Sequence, residues 1–208
     1  MTAGASLAKR PRNWRRKLFF GAYYLFLTGA IVALGYSTYV VVDAGAYQAI
    51  AESRLSTMRP TQGVRAVADG EVIGEMNIPR LGLKTIVAQG QSSKVLRRAV
   101  GHLSESAMPG QPGNVTLAGH RDTFFRPLRK IQPGDAISFN TADGEFIYQV
   151  ESTEVVLPSD VAVLQPSREN TLTLVTCFPF YYVGSAPKRF IVRARQIGRL
   201  PAESPVAQ

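Results

Sequence analysis

Two patterns of apolar and polar residues divide the chain. Residues 18–42 are 25 consecutive residues without a formally charged side chain, whereas short runs of alternating apolar and polar residues begin after residue 70. As a helix, the uncharged stretch is about 37 Å long, and the hydrocarbon core of a membrane is about 30 Å thick. The first pattern therefore predicts a membrane-spanning helix at 18–42, and the second predicts strands with one buried face.

Alternation and turn residues place the strands. Pro-Gly and Asp-Gly turns separate the alternating runs, and Asp143-Gly144 predicts a hairpin. Short helices are predicted at 93–98, 123–128 and 159–164. Many short strands with few helices indicate an all-β domain, either a closed barrel or a sandwich. The predicted strands are 72–78, 84–88, 115–118, 137–140, 146–150, 155–157, 171–177 and 190–197.

The remaining segments complete the predicted domain organisation. Helical spacing of apolar residues from Ala44 to Met58 predicts a stalk, followed by a linker, over residues 43–69. The β domain occupies 70–197, and the polar residues 198–208 are predicted to be a disordered tail. Internal repeats are absent from the sequence.

Charge distribution predicts the membrane topology. Residues 1–17 carry six basic side chains and no acid, so residues 43–208 keep 18 of the 24 basic side chains against all 15 acids, or +3 of the total +9. A basic flank favours the cytoplasmic side, which places residues 43–208 outside in a single-pass membrane protein. Nucleic acid is not a predicted partner, because its recognition requires clustered positive charge on the folded domain.

A cleavable signal peptide is the alternative to the membrane anchor. Ala44-Gly45-Ala46 resembles a cleavage site, in which small residues flank the scissile bond. The apolar region of a signal peptide, however, usually covers only 7–15 residues. The 25 uncharged residues at 18–42 therefore favour an uncleaved anchor.

The candidate chemistry centres on Cys177, the only cysteine in the chain. It ends the predicted strand 171–177, Arg189 follows it, and His120 lies upstream after the predicted strand 115–118. A thiol, an imidazole and a guanidinium together supply a nucleophile, a proton carrier and a donor for an oxyanion. These three residue types predict acyl transfer through a thioester.

Strand parity places these three side chains on comparable faces. If Leu172 and Leu174 face the core, Cys177 faces away from it, because successive side chains alternate. Arg189 likewise lies opposite the apolar face of the last strand, and His120 lies opposite Leu117 if the strand geometry continues that far. We therefore expect all three in one groove on the outside of the domain, unless a bulge changes the parity.

The segment between Cys177 and Arg189 is rich in aromatic side chains. Residues 178–184 read Phe-Pro-Phe-Tyr-Tyr-Val-Gly. Phe178, Tyr181 and Tyr182 are candidates for a wall that contacts an apolar or proline-containing ligand. The alternative is that this loop packs back on the core of the domain, and the sequence leaves both open.

Four segments resemble segments of the sortase family, and they occur along this chain in the same order as in the family. Thr173-Leu-Val-Thr-Cys177 contains the family's Thr-Leu-x-Thr-Cys pattern, and Arg189 follows at the distance of the family's active-site arginine. Residues 114–128 resemble the histidine segment, most like that of class D forms, and residues 73–82 resemble the first strand. The resemblance covers about residues 70–197.

The resemblance implies a closed, eight-stranded sortase β-barrel with short helices, preceded by one transmembrane helix. It also implies a cysteine transpeptidase that cleaves an LPxTG-like sorting signal near the C-terminus of a protein substrate and passes the acyl group to an amine acceptor. Carried over by position, Cys177 is the nucleophile, His120 is the general acid and base, and Arg189 positions the substrate and stabilises the oxyanion. Thr176 matches a position that assists at the oxyanion, and Ala118 precedes Gly119-His120 as in the family motif.

One departure concerns the loop at 178–184, which is more aromatic than in familiar cell-wall sortases. This difference leaves the sorting motif and the acceptor open. An acidic cluster like the calcium site of some class A members is missing from the sequence, so we expect neither a metal nor another cofactor.

Other assignments of the same residues remain open. His102 is a less favoured proton carrier, and Asp122 is a less favoured third member of a Cys–His–Asp triad, while Arg121 and Asp122 are expected to cap a turn or lie on the surface. A cysteine protease would pass the same thioester to water. A non-enzymatic, membrane-tethered peptide-binding barrel would leave Cys177 unreactive. An L,D-transpeptidase is disfavoured, because its Ser-x-Gly-Cys pattern is absent around Cys177.

Overall fold

The computed structural model describes residues 13–57, 67–182 and 184–201, and the chain divides into two units, 1–43 and 44–208. Helix α1 runs without a break from Asn13 to Leu55. Among the described residues, α1 is the one helix that is long and apolar enough to cross a membrane. A signal sequence can have the same length and apolar composition. The predicted stalk therefore continues the predicted membrane helix, and most of the predicted linker lies outside the described residues.

The second unit contains eight strands and few short helices. The helix α2 is Ser93–Leu96, and the 3₁₀ helices are η1 (Pro79–Leu81), η2 (Arg126–Lys130) and η3 (Val161–Leu164). The strands are β1 (Val72–Ile78), β2 (Leu83–Gln89), β3 (Val100–His102), β4 (Asn114–Ala118), β5 (Ala136–Thr141), β6 (Gly144–Val156), β7 (Thr171–Phe178) and β8 (Lys188–Pro201).

The strands form a closed barrel in the order β1-β2-β3-β4-β7-β8-β6-β5, which confirms the predicted eight-stranded architecture. Pairing of β1 with β5 closes the barrel, so that each strand has two neighbours. The pairs β2–β3 and β4–β7 are parallel, and the other pairs are antiparallel. Closure satisfies the edge hydrogen-bonding groups that an open sheet leaves unpaired.

Apolar residues from alternate strand positions fill the interior. Leu172 and Leu174 are fully buried and lie opposite Ala194 and Val192 on β8. This arrangement confirms that the leucines of the 171–177 strand face the core. Because the β7–β8 pairing contains no register shift, Cys177 remains on the opposite face from these leucines.

The end of α1 within the second unit packs on the outside of the barrel. Ala51 is buried with Ile86 on β2 and with Val95 on α2. The side chain of Gln48 accepts a hydrogen bond from the amide of Ile86 at 2.8 Å and donates one to the carbonyl of Arg98 at 2.6 Å. Residues 44–55 are therefore part of the packed unit rather than a free stalk.

Several predicted boundaries are wrong. Strand β3 was not predicted, because three residues are too few to show alternation. Strand β6 is continuous through residues predicted as two separate runs, and β8 extends to Pro201, which removes 198–201 from the predicted tail. Residues 202–208 lie outside the described part of the chain. The helices predicted at 93–98 and 159–164 are shorter in the structure, as α2 and η3, and the one predicted at 123–128 is displaced to η2, which begins and ends later.

Candidate active site

Three neighbouring strands bring Cys177, His120 and Arg189 to the same level of the barrel. Strand β7 lies between β4, its parallel neighbour, and β8, its antiparallel neighbour. Cys177 is directly opposite Arg189 in the β7–β8 ladder. Directly opposite residues in an antiparallel pair have Cβ atoms about 5 Å apart and share a face of the sheet. The thiol and the guanidinium therefore project from neighbouring positions on the outer face.

The register of the parallel pair brings the end of β4, just before His120, to the Cys177 end of β7. Ala118, the last residue of β4, pairs with Val175. His120 follows Ala118 by two residues, and Cys177 follows Val175 by two residues on β7. The amide of Gly119 donates to the carbonyl of Val175 at 3.1 Å, which continues the ladder beyond the end of β4. The histidine segment therefore remains attached to β7 up to the residue before His120.

The Thr176 hydroxyl provides a second attachment for the histidine segment. It is 3% exposed and donates to the carbonyl of Gly119 at 2.7 Å. By parity this side chain lies on the interior face, opposite that of Cys177. In this structure Thr176 thus positions the residue before His120, and its hydroxyl is not directed at the outer face where an oxyanion would form.

Burial along the outer face defines where the site opens. Thr171 and Thr173 are buried, and both hydroxyls donate to the side-chain carbonyl of Asn114. The amide of Asn114 in turn donates to the carbonyls of Val163 and Gln165, in and after η3. The segment around η3 therefore covers one half of this face.

The other half of the outer face is more accessible. Ala118, Val175 and Cys177 are partly buried, Arg189 is partly buried, and His120 is exposed. The outer face is therefore covered at Thr173 and accessible at its Cys177 end. A ligand reaching Cys177 contacts the half of the face that η3 leaves uncovered.

Arg189 is held by its own loop. One guanidinium nitrogen donates to the carbonyls of Ala186 and Lys188, at 3.3 and 3.0 Å. An arginine carries five N–H donors, so further donors remain for a ligand. The neighbouring Lys188 lies opposite Phe178 and therefore on the other face, as parity predicts.

The sequence left open whether the loop after Cys177 contacts a ligand or packs on the core. In the structure, different residues of this loop have each arrangement. The rings of Phe178, Phe180 and Phe190 form one cluster with centroids 5.3–6.3 Å apart, and Phe180 and Phe190 pack against the core. Tyr181 and Tyr182 are exposed, at 75% and 47%. The phenylalanines thus anchor the loop, and the tyrosines are available to a ligand.

Arg121 is the principal residue that the sequence reasoning missed. Its side chain is buried, against the expected surface position, and it donates to the carbonyls of Pro179, Tyr182 and Gly184 at 2.7–3.2 Å. It therefore connects the residue after His120 to the loop after Cys177. The sequence signal is an arginine next to the histidine, but nothing in the sequence identifies partners that are backbone carbonyls about 60 residues away.

Asp122 and His102 have structural partners of their own. The Asp122 carboxylate accepts from the guanidinium of Arg121 at 3.2 Å. The ring of His102 is fully buried, with Nδ1 2.8 Å from the side-chain oxygen of Gln89 and Nε2 3.0 Å from the carbonyl of Ala107. Burial lowers the pKa of His102. These contacts favour His120, the exposed ring, over His102 as the proton carrier.

A metal-binding cluster does not occur in the part of the chain that the structure describes: no three His, Cys, Asp or Glu side chains there come together to hold an ion. The expected absence of a metal stays a prediction.

Comparison with known proteins identifies the fold and chemistry together. A family model described as a Sortase domain matches residues 76–197, which contain His120, Cys177 and Arg189. The chain belongs to the sortase family. Sortases are cysteine transpeptidases of the cell surface that act on protein substrates carrying sorting signals, and LPXTG is the motif known for the family.

Relatives from two sortase classes resemble this sortase. Sortase D of Bacillus subtilis is 29% identical over 84% of this chain and 96% of its own length. Sortase SrtE1 of Streptomyces coelicolor is 31% identical over 85% of this chain and 56% of its own length.

Solved structures show the same fold. A Clostridium perfringens Sortase D5 transpeptidase is 36% identical, with a TM-score of 0.59 over 64% of this chain and 82% of that one. Sortase E1 from S. coelicolor, solved with a tripeptide in the active site, is 34% identical, with a TM-score of 0.58 over 67% and 99% of the two chains.

Proposed function

We propose that this sortase is a membrane-anchored transpeptidase that cleaves an LPxTG-like sorting signal through a thioester on Cys177 and transfers the acyl group to an amine. The observation that carries the proposal is the common level of Cys177, His120 and Arg189 on adjacent strands, at the accessible end of the outer face.

In the first half-reaction His120 takes the proton of the Cys177 thiol and the sulfur attacks the scissile carbonyl carbon, whose oxygen gains negative charge. The fixed charge of Arg189 stabilises this oxyanion. His120 donates a proton to the amide nitrogen, the C–N bond breaks and the amine leaves, so that a thioester remains.

In the second half-reaction an acceptor amine attacks the thioester carbonyl and gives a proton to His120. The C–S bond breaks, and the sulfur of Cys177 departs as the leaving group. One amide bond is lost and one is formed, so the exchange requires no cofactor. Hydrolysis differs only in that water takes the place of the amine.

The N-terminal helix supports the proposed location. We place residues 1–17 in the cytoplasm and the catalytic barrel outside, because the flank before the apolar stretch carries six basic residues and no acid. In that location the barrel meets exported protein substrates and amine acceptors at the cell surface.

The proposal predicts that full-length protein in detergent micelles forms an acyl-enzyme on an LPxTG-like peptide, visible as added mass on the intact chain. Cys177→Ala and His120→Ala should abolish this adduct. Arg189→Ala should slow its formation by about 10²–10³-fold, because an oxyanion donor is lost, and leave the fold intact.

A second arm of this experiment tests whether an amine is the acceptor. Adding an amine should divert the thioester from the acid to an amide, whereas a cysteine protease would give only the acid. Undiminished turnover in Cys177→Ala would contradict the proposal. Retention of peptide binding without any adduct would favour a non-enzymatic barrel.

A further inference from the structure

A cavity of about 240 Å³ lies between the segment after His120 and the loop after Cys177. One wall comes from the chain that follows β4 and from η2, and the other comes from the β7–β8 loop. Its lining residues are Arg121, Asp122, Arg126, Arg129, Phe180 and Tyr181.

The charge of this cavity is unbalanced. Three guanidinium groups face a single carboxylate, and that carboxylate, of Asp122, already accepts from Arg121. Arg126 and Arg129 are exposed and have no ion-pair partner among residues 13–57, 67–182 and 184–201. Two positive charges in a concave site attract anions from solution.

Arg129 also has a neighbour across the cavity. Its guanidinium carbon lies 5.7 Å from the centroid of the Tyr181 ring, in a cation–π contact. An arginine has five N–H donors. Guanidinium donors match the two oxygens of a carboxylate.

The position of the cavity indicates which part of the reaction it serves. His120 protonates the departing amine and later deprotonates the incoming amine, so both amines occupy the same place beside its ring. The cavity begins at Arg121, whose Cα is about 3.8 Å from that of His120 along the chain. The wall that carries Arg121, Arg126 and Arg129 belongs to the chain that continues from His120 after β4. The molecule whose amine lies beside His120, either the departing peptide or the acceptor, is therefore the one that reaches this cavity.

We propose that this cavity is a subsite for a carboxylate on the amine acceptor, which Arg126 and Arg129 bind. The inference rests on the function proposed above and adds a chemical requirement to the acceptor: a negatively charged group close to the attacking amine. A departing peptide whose chain continues as an amide lacks this group at the same place. The subsite thus favours attack on the thioester by the acceptor amine over attack by the departed peptide, which would reverse the first half-reaction.

Matched acceptors test the proposal on full-length protein in detergent micelles, with one sorting peptide throughout. Gly-Gly and Gly-Gly amide differ only in a terminal carboxylate. Gly-Asp amide and Gly-Asn amide separate a side-chain carboxylate from a terminal one. We expect kcat/KM for transfer to favour a carboxylate-bearing acceptor by about tenfold, the effect of one charge-assisted contact, and to lose this preference as salt rises.

Substitutions then assign the preference to the cavity. The double variant Arg126→Gln/Arg129→Gln should reduce the preference to below about twofold, because the neutral amides keep hydrogen bonds but not charge. Arg168→Gln removes an exposed arginine near the far end of β7 and should keep the full preference. Equal transfer to charged and neutral acceptors, or a preference that survives in the double variant, would overturn the subsite.

A binding measurement separates this inference from the proposed reaction. Saturation-transfer NMR of Gly-Gly and Gly-Gly amide on the Cys177→Ala protein requires no turnover. Preferential binding of Gly-Gly that disappears when both arginines are also replaced supports the subsite even where no acyl-enzyme forms. Equal binding of the two peptides contradicts the subsite, whereas a missing adduct on wild-type Cys177 contradicts only the proposed function.

Discussion

At the scale of single residues, the two histidines of this sortase differ in burial. His120 is exposed, whereas His102 is fully buried and held by Gln89 and Ala107. The sequence favoured His120 through its surrounding motif. It did not predict the partners of His102, because they come from β2 and from the loop after β3, a strand that alternation does not reveal.

The buried imidazole predicts a pH dependence of stability. Burial lowers the pKa of His102 in the folded protein. As the pH falls below about 6.5, His102 therefore becomes protonated in the unfolded chain before it does in the folded protein. This contribution to stability is present above about pH 6.5 and is lost as pH falls through the lower folded pKa. His102→Gln should therefore flatten the decline in the free energy of unfolding between pH 7 and 5, measured by urea denaturation in micelles.

Ser106→Ala is the control for this prediction. The Ser106 hydroxyl lies 3.1 Å from Nε2 of His102, so its removal changes the hydrogen bonding but keeps the titrating ring. This variant should be less stable and should still lose stability with falling pH. An identical pH slope in wild type and His102→Gln would contradict the assignment.

At the scale of elements, the site depends on how the end of β4 is packed. Gly119 precedes His120, and a Cβ at this position would lie 2.8 Å from the ring of Phe125. That ring is fully buried, and the amide of Phe125 donates to the carbonyl of His120. The absence of a side chain at Gly119 thus lets the histidine segment lie close to the turn that follows it.

Gly119→Ala should destabilise the protein by about 1–3 kcal/mol, because the added methyl overpacks a region that cannot expand freely. It should also slow acyl-enzyme formation, since relief of the clash displaces His120. Thermal unfolding and intact-mass kinetics measure the two effects. Adding Phe125→Leu should recover part of both, which a double-mutant cycle reports as a favourable coupling.

Gly198→Ala provides a matched control in β8, where a Cβ would meet Ile147 only at 3.8 Å. We expect a change in stability of less than about 1 kcal/mol there. Equal behaviour of Gly119→Ala and Gly198→Ala would show that contact with Phe125 does not constrain the site.

The sequence patterns predicted which strands exist more accurately than they predicted the residues at which each strand begins and ends. Asp143-Gly144 predicted the hairpin of β5 and β6, whose two turn residues are Ala142 and Asp143, because a two-residue turn and alternation are local signals. The continuity of β6 through residues 151–154 is not local: residues 152–154 pair with residues 191–193, in the first half of β8, after a register shift between Val150 and Ser152. Alternation fails where a bulge changes which side chains face inward.

At the scale of the whole molecule, the closed barrel followed from family resemblance rather than from alternation. Strand patterns alone left a barrel and a sandwich open, since the pairing of β1 with β5 joins segments about 65 residues apart. Parity placed Cys177 and Arg189 on the outward faces of their strands, and the pairing of β7 with β8 sets them opposite each other. The covering of Thr173 by the segment around η3 depends on a nonlocal contact through Asn114, which parity does not include.

The proposed topology predicts which parts of the molecule a membrane-impermeant maleimide reaches. In a Cys177→Ala background, which removes the only native thiol, Ser185→Cys places one cysteine on the exposed β7–β8 loop. Ser6→Cys places one in the basic N-terminal flank. In spheroplasts the first variant should be labelled at once and the second only after permeabilisation, because the basic flank holds the N-terminus in the cytoplasm. The parent Cys177→Ala protein controls for background. Labelling in the reverse order would place the catalytic barrel inside the cell, where it would not meet exported substrates.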